Sequence, residues 1–226
     1  METSMYDTLL QLPLFQGLCK DDFTNIIEKV KFHFRNLKGN DIVVKQGDIC
    51  NQLIFLLEGS LSSQTIDEEH NFWLSETLNM PFVIEPYSLF GMYPCYNATY
   101  QVQGEAKLLI IDKPYILSEL SNYEIFRLNY LNILSNRVQV ANQKVWNTHI
   151  GNIKEKLANF VLLRCTRSDG EKKIHIGMED LANLINETRI NVSKLLNELQ
   201  NKQIIQLKRK EIYIPNMDSF IKELQR

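Results

Sequence analysis

The chain has 226 residues, 44% hydrophobic and 23% charged, a balance that excludes an intrinsically disordered chain and gives enough length for two modest folded domains. No apolar run is long enough to span a bilayer, and Met1-Glu2-Thr3-Ser4 lacks the basic flank and apolar core of a secretory signal, so a soluble cytoplasmic protein without a membrane partner is expected. The net charge of −2 is unevenly divided: residues 1–150 carry 11 Lys and Arg against 17 Asp and Glu, whereas residues 151–226 carry 14 against 10.

Taken in order, residues 5–35 place Leu9, Leu10 and Leu12, then Phe23, Ile26, Ile27 and Val30, at helical spacing broken by Pro13 and Gly17, which predicts short helices. From Phe32 to about Ile111 the pattern changes to short β-prone runs cut by Gly, Asn, Asp and Pro. These are Ile42–Val44, Leu53–Leu57, Leu61–Ile66, Phe72–Leu74, Phe82–Ile84 and Lys107–Ile111, and they predict a compact β-barrel or roll. The longest helical stretch follows, about Ser121 to Thr148, without Gly or Pro. On it Leu131, Leu134, Val138, Ala141, Val145 and Thr148 alternate spacings of three and four, the seam of a parallel homodimer, while Ile125, Leu128 and Ile133 are left to pack on the roll. Gly151-Asn152 breaks the pattern, Asn152 caps a helix at Ile153–Arg164, and a hinge is expected at 149–152.

The basic end holds the most specific pattern. Leu181, Leu184 and Ile185 form one face of a short helix from Met178, and Asn186 supplies a residue tolerant of a left-handed backbone. Thr188 then caps a second helix, its hydroxyl accepting from the Asn191 amide or a neighbour. That helix buries Val192, Leu195, Leu196 and Leu199, leaving Arg189, Ile190, Asn191, Ser193, Lys194 and Asn197 on its other face. This is a helix-turn-helix whose first turn offers base-reading side chains to a major groove. Two β-prone runs, Ile204–Leu207 and Glu211–Ile214, flank Lys208-Arg209-Lys210, a wing with cations for phosphates. The candidate DNA-binding set is therefore Thr188, Arg189, Ile190, Asn191, Ser193, Lys194, Lys208, Arg209 and Lys210, with double-stranded DNA as partner. Cys19, Cys50, Cys95 and Cys165 show no C-x-x-C pair and the four histidines are scattered, so no metal site is expected. A Gly-rich phosphate loop and a nucleophile elbow are likewise missing, leaving an enzyme with a basic accessory domain, or a non-DNA interaction protein, as the competing classes.

Leu37-Lys38-Gly39-Asn40-Asp41-Ile42-Val43-Val44-Lys45-Gln46-Gly47-Asp48, followed by Leu53-Ile54-Phe55-Leu56-Leu57-Glu58-Gly59-Ser60-Leu61, resembles the opening of a cyclic-nucleotide-binding roll. With the helix-turn-helix and wing behind it, nearly the whole chain is similar to the Crp/Fnr family of bacterial transcription regulators. The resemblance implies an α+β fold in three parts: a β-roll sensor at 1–120 with Gly47 and Gly59 closing tight turns, a dimerisation helix and hinge at 121–150, and a winged helix-turn-helix at 151–226. It further implies a homodimer that reads palindromic DNA and works with RNA polymerase. The family's phosphate cassette carries Glu after Phe-Gly and a nearby Arg, but here Met92 follows Phe90-Gly91 and no Arg lies between Arg35 and Arg127. Ala141 and Asn142 stand where the cyclic-AMP-binding members place a Thr-Ser pair. The candidate effector pocket is thus Met92, Thr99 and Asn142, with neither a cyclic-AMP nor an iron–sulfur signature and the cofactor unidentified.

Overall fold

The computed structural model describes residues 5–147 and 151–224. The chain forms two compact units, residues 1–62 with 78–137, and residues 63–77 with 138–226.

In the first unit, α1 (Met5–Leu10) and α2 (Lys20–Lys29) precede the roll. Cys19 starts α2 by accepting from the Asp22 amide at 3.3 Å, and Asp21 and Asp22 lie in the first turn, where carboxylates favour the helix dipole. The roll is built on β6 (Thr99–Asp112), which pairs antiparallel with β1 (His33–Gly39) from His33↔Ile110 to Gly39↔Gly104, and with β2 (Ile42–Val44). Against its other side lies β3 (Gln52–Asp67), which also pairs with β5 (Phe82–Ile84). Where two short runs are predicted, Leu53–Leu57 and Leu61–Ile66 form this one strand, because Gly59 continues it instead of ending it. Gly59 has a φ of 88°, and a Cβ there would lie 2.0 Å from the Glu105 carbonyl oxygen, so the close approach of β6 requires a residue without a side chain.

Phe15 is the hub of the roll's core, with ring centroids 5.7 Å from Phe23, 5.5 Å from Phe55 and 5.8 Å from Phe126. The last of these belongs to α4 (Glu124–Asn147), whose Phe126 and Tyr130 are buried and whose Ile133 and Leu134 pack partly on the same core. Asn129 secures the helix by donating to the Leu14 and Gln16 carbonyls at 3.2 and 2.8 Å. This differs from the expected packing face: Ile133 takes part, but Ile125 and Leu128 are exposed. Of the residues expected in the seam, Leu134 is partly buried against the roll core, Leu131 and Val138 are each 57% exposed and Ala141 is exposed; Val145 and Thr148 lie outside the residues whose side chains are described.

The second unit contains α5 (Ile153–Arg164), β7 (Lys172–His175), α6 (Met178–Leu184), α7 (Arg189–Asn201), β8 (Gln206–Lys208), β9 (Glu211–Ile214) and α8 (Met217–Leu224). Asn152 caps α5 as expected: its side chain accepts from Lys154 and Glu155 amides at 2.9 and 3.0 Å, and Glu155 accepts from the Asn152 amide in return. Residues 149–150 of the expected hinge lie outside the described residues, and Gly151 has a φ of 121°. Strands β8, β9 and β7 form an antiparallel sheet extended by the outer part of β4 (Phe72–Asn79). Among the described residues no helix is long and apolar enough to cross a membrane.

Gly59→Ala is expected to lower the unfolding free energy by about 2–5 kcal/mol, the sum of a left-handed backbone penalty and an overpacked contact with β6. Gly47→Ala, at the same φ of 88° but with open space around the new Cβ, is expected to cost only the backbone part, about 1–2 kcal/mol. Urea denaturation of the two variants checks the difference.

Candidate nucleic-acid interface

The geometry of the interface starts from what α7 hides. Val192, Leu195, Leu196 and Leu199 are all buried, at spacings of three and four, in a core shared with Leu181, Ala182 and Ile185. The remaining face is thereby fixed outward: Arg189, Asn191 and Lys194 are exposed, and Ile190 is 67% exposed. Ser193 is half-buried at the edge of this face, its hydroxyl accepting from Asn197 Nδ2 at 3.4 Å.

The turn into α7 is held from three directions. Asn186 adopts a φ of 51°, the left-handed conformation that Asn tolerates better than bulkier residues. Thr188 caps the helix, accepting from the Asn191 amide at 3.2 Å. Lys156 of α5 reaches across to Glu187 at 2.7 Å and also donates to the Asn186 carbonyl. The Lys156 ammonium holds the Glu187 carboxyl below its ordinary range, with smaller help from the Asn191 side chain. The first turn of α7 is therefore held in position by the protein's own contacts.

The wing is tighter than its sequence suggests. Pairing runs to Lys208↔Glu211, so Lys208 is the last residue of β8 and only Arg209 and Lys210 form the turn, Lys210 with a φ of 58°. Ile204 and Ile205, expected in the strand, precede it, and Ile205 is buried in the domain core instead. Lys208 lies 3.4 Å from Glu211, whereas all three cations remain exposed on one hairpin. Exposed Arg, Asn and Lys side chains are the chemistry that base edges and phosphates accept.

Met92 is 89% exposed, the Thr99 hydroxyl accepts from the Gln46 amide at 3.1 Å, and Asn142 is exposed on α4. What sequence reasoning passed over is Glu85. This carboxylate is 2% exposed, on a residue with a φ of 34°, and accepts from Ser88 Oγ at 2.7 Å, the Asn97 amide at 2.8 Å and Asn97 Nδ2 at 2.9 Å. The Ala98 amide at 3.0 Å and the Tyr100 hydroxyl at 3.2 Å complete the set. All five donors are neutral, and together they tie the end of β5 to the start of β6. The signal available in the sequence is an acidic residue between an apolar strand and Pro86. All four cysteines are free, and burial pushes the Cys50 thiol pKa up. Among the described residues no group of three or more His, Cys, Asp or Glu side chains is placed to hold a metal ion.

Residues 155–222 match the Crp-like helix-turn-helix domain family. No curated protein matches the chain. The catabolite activator protein of Thermus thermophilus superposes over 94% of this chain and 97% of its own, with a TM-score of 0.51 at 16% identity. The c-di-GMP responsive global regulator CLP of Xanthomonas campestris does so over 87% and 99%, with a TM-score of 0.51 at 14% identity. The wing and α7 both fall inside the matched segment: residues 155–222 are a Crp-like helix-turn-helix domain, and the chain as a whole shares the fold of these two solved structures.

Proposed function

We propose that the protein is a homodimeric, sequence-specific DNA-binding transcription regulator, whose roll responds to an unidentified signal and repositions the recognition helices. The carrying observation is the orientation of α7: four buried apolar residues leave Arg189, Ile190, Asn191 and Lys194 exposed, in a unit that also exposes the basic hairpin. The acidic residues 1–150 and basic residues 151–226 support one-ended approach to DNA, since phosphate neutralisation dominates affinity. RNA polymerase is the partner such a regulator acts on, and the cytoplasm is where it works. No enzymatic activity is part of this reading.

In this reading Arg189 forks onto guanine, and Ile190, which has no hydrogen-bonding group, offers only apolar contact such as a thymine methyl. The half-site therefore leans toward A·T pairs at the Ile190 position, within a palindrome whose half-sites lie about one helical turn apart. Selection of sites from random DNA tests it. Arg189→Ala is expected to flatten preference at one base pair, at a cost of about 1–3 kcal/mol against the best site. Lys210→Ala is expected to weaken all sequences alike and lower the salt slope by about one unit. Recovery of an unchanged motif by Arg189→Ala removes that residue from the reading role.

Dimerisation is proposed through the exposed stripe of α4, where Leu131 and Val138 stand one heptad apart. Leu134 is excluded from this test because it packs on its own roll. Leu131→Asp with Val138→Asp is expected to yield folded monomers, measured by light scattering with circular dichroism. A double variant that stays dimeric assigns the interface elsewhere.

A further inference from the structure

The carboxy-terminal unit contains a strand that its own stretch of sequence does not supply. Residues 63–77, the tip of the hairpin formed by β3 and β4, pack with residues 138–226. There β4 runs antiparallel to β7 in the register Trp73↔His175, Leu74↔Ile174, Ser75↔Lys173 and Glu76↔Lys172. Its side chains alternate as a strand's should. Phe72 and Leu74 are buried in the same core as α7, with the Phe72 ring edge-on to Phe160 at 5.5 Å, and on the opposite face Trp73 stacks parallel on His175 at 5.0 Å.

The last pair in the register is ionic. Glu76 is 3% exposed and its carboxylate lies 3.0 Å from Lys172 Nζ, on a side chain with no exposure at all. The same carboxylate accepts from the Thr166 amide at 2.6 Å and the Arg167 amide at 3.3 Å, while Lys172 also donates to the Asp169 carbonyl. One acidic side chain on β4 thus organises the whole turn between α5 and β7. Next to it Thr77 donates to Glu171 at 2.9 Å, and the other oxygen of Glu171 accepts from Tyr213 of the wing strand β9 at 2.7 Å. A passing surface contact gains little from ion pairs, whereas separating a fully buried pair leaves two desolvated charges without partners. The pairing therefore belongs to the folded state of the unit.

We infer that the tip of the β3–β4 hairpin is a permanent strand of the DNA-binding unit and that Glu76 is a positioning residue for the wing and recognition helix, acting through Lys172, the 165–167 turn and β9. This rests on the DNA-reading function proposed above. Because β3 and β4 are continuous strands whose remaining residues belong to the roll unit, the reader is joined to the sensor by two strands in addition to α4.

The test uses the full chain. Ser75→Cys with Lys173→Cys places two thiols at paired positions, close enough for a disulfide on oxidation. Oxidised protein, with the bond confirmed by mass spectrometry, is expected to bind selected DNA as tightly as the reduced form. Binding lost on oxidation and regained on reduction would mean that the strand must leave before DNA is read, and would overturn the inference. Separately, Glu76→Gln is expected to speed amide exchange at Thr166, Arg167 and β7 by about a hundredfold or more and to weaken DNA binding about tenfold. Glu76→Gln with Lys172→Met, which removes the bare charge, is expected to recover part of both, and it serves as the folded comparison if the single variant is unstable. Unchanged exchange in Glu76→Gln sinks the inference. Exchange is read without DNA, so failure of the wild-type chain to bind any DNA refutes the DNA-reading function while the strand assignment is still decided.

Discussion

Four side chains on one face of α7, Val192, Leu195, Leu196 and Leu199, set the terms for everything the carboxy-terminal unit can do. Their burial is the hydrophobic gain that docks the helix. It also fixes the rotation of the helix about its axis, because a helix with a buried stripe has only one face left for solvent. Arg189, Ile190, Asn191 and Lys194 are therefore presented outward by a packing requirement that involves none of them. Function at this site is a by-product of amphipathicity combined with the choice of residues on the free face.

Rotation alone does not place the start of the helix, and here polar interactions take over. The left-handed Asn186, the Thr188 cap and the Lys156–Glu187 pair converge on the same few residues. Each supplies a different degree of freedom: the direction of the turn, the first hydrogen bond of α7, and the tie to α5. The wing is fixed similarly by backbone bonding, with the Ile176 amide donating to the Lys210 carbonyl at 2.9 Å at the base of the basic turn. A surface organised in this way has little ordering left to do on meeting a partner.

The roll follows a different economy. Its interior is apolar around Phe15, but one buried carboxylate, Glu85, gathers five neutral donors at the junction of β5 and β6. A buried charge is tolerated when hydrogen bonds replace its water. In the segment that follows Phe90-Gly91, Met92 and Tyr93 are exposed while Tyr96 and Ala98 are buried. The α4 helix shows the same division, with Phe126 and Tyr130 spent on the roll and Leu131 and Val138 left facing solvent.

Much of this is written locally. Apolar spacing of three and four identified α7 and its buried face, Thr188 and Asn152 marked helix starts, Asn186 marked the turn, and the basic triplet marked the wing, because each signal acts within a few residues of where it is read. The broad roll was legible from its short β-prone runs for the same reason. What tertiary structure decided are features whose causes lie far apart in the chain. Gly59 is a strand residue and not a turn because the β6 backbone at Glu105 passes against it. Leu134 packs partly against the roll because the core of a distant stretch of chain reaches it. In β7, three of the four residues Lys172-Lys173-Ile174-His175 are polar, and Glu76, arriving from another part of the chain with Phe72 and Leu74, makes Lys172 a buried partner and the segment the middle of a sheet. Local pattern records what a residue prefers; which neighbour supplies its counter-charge or its apolar cover is settled only when the chain is folded.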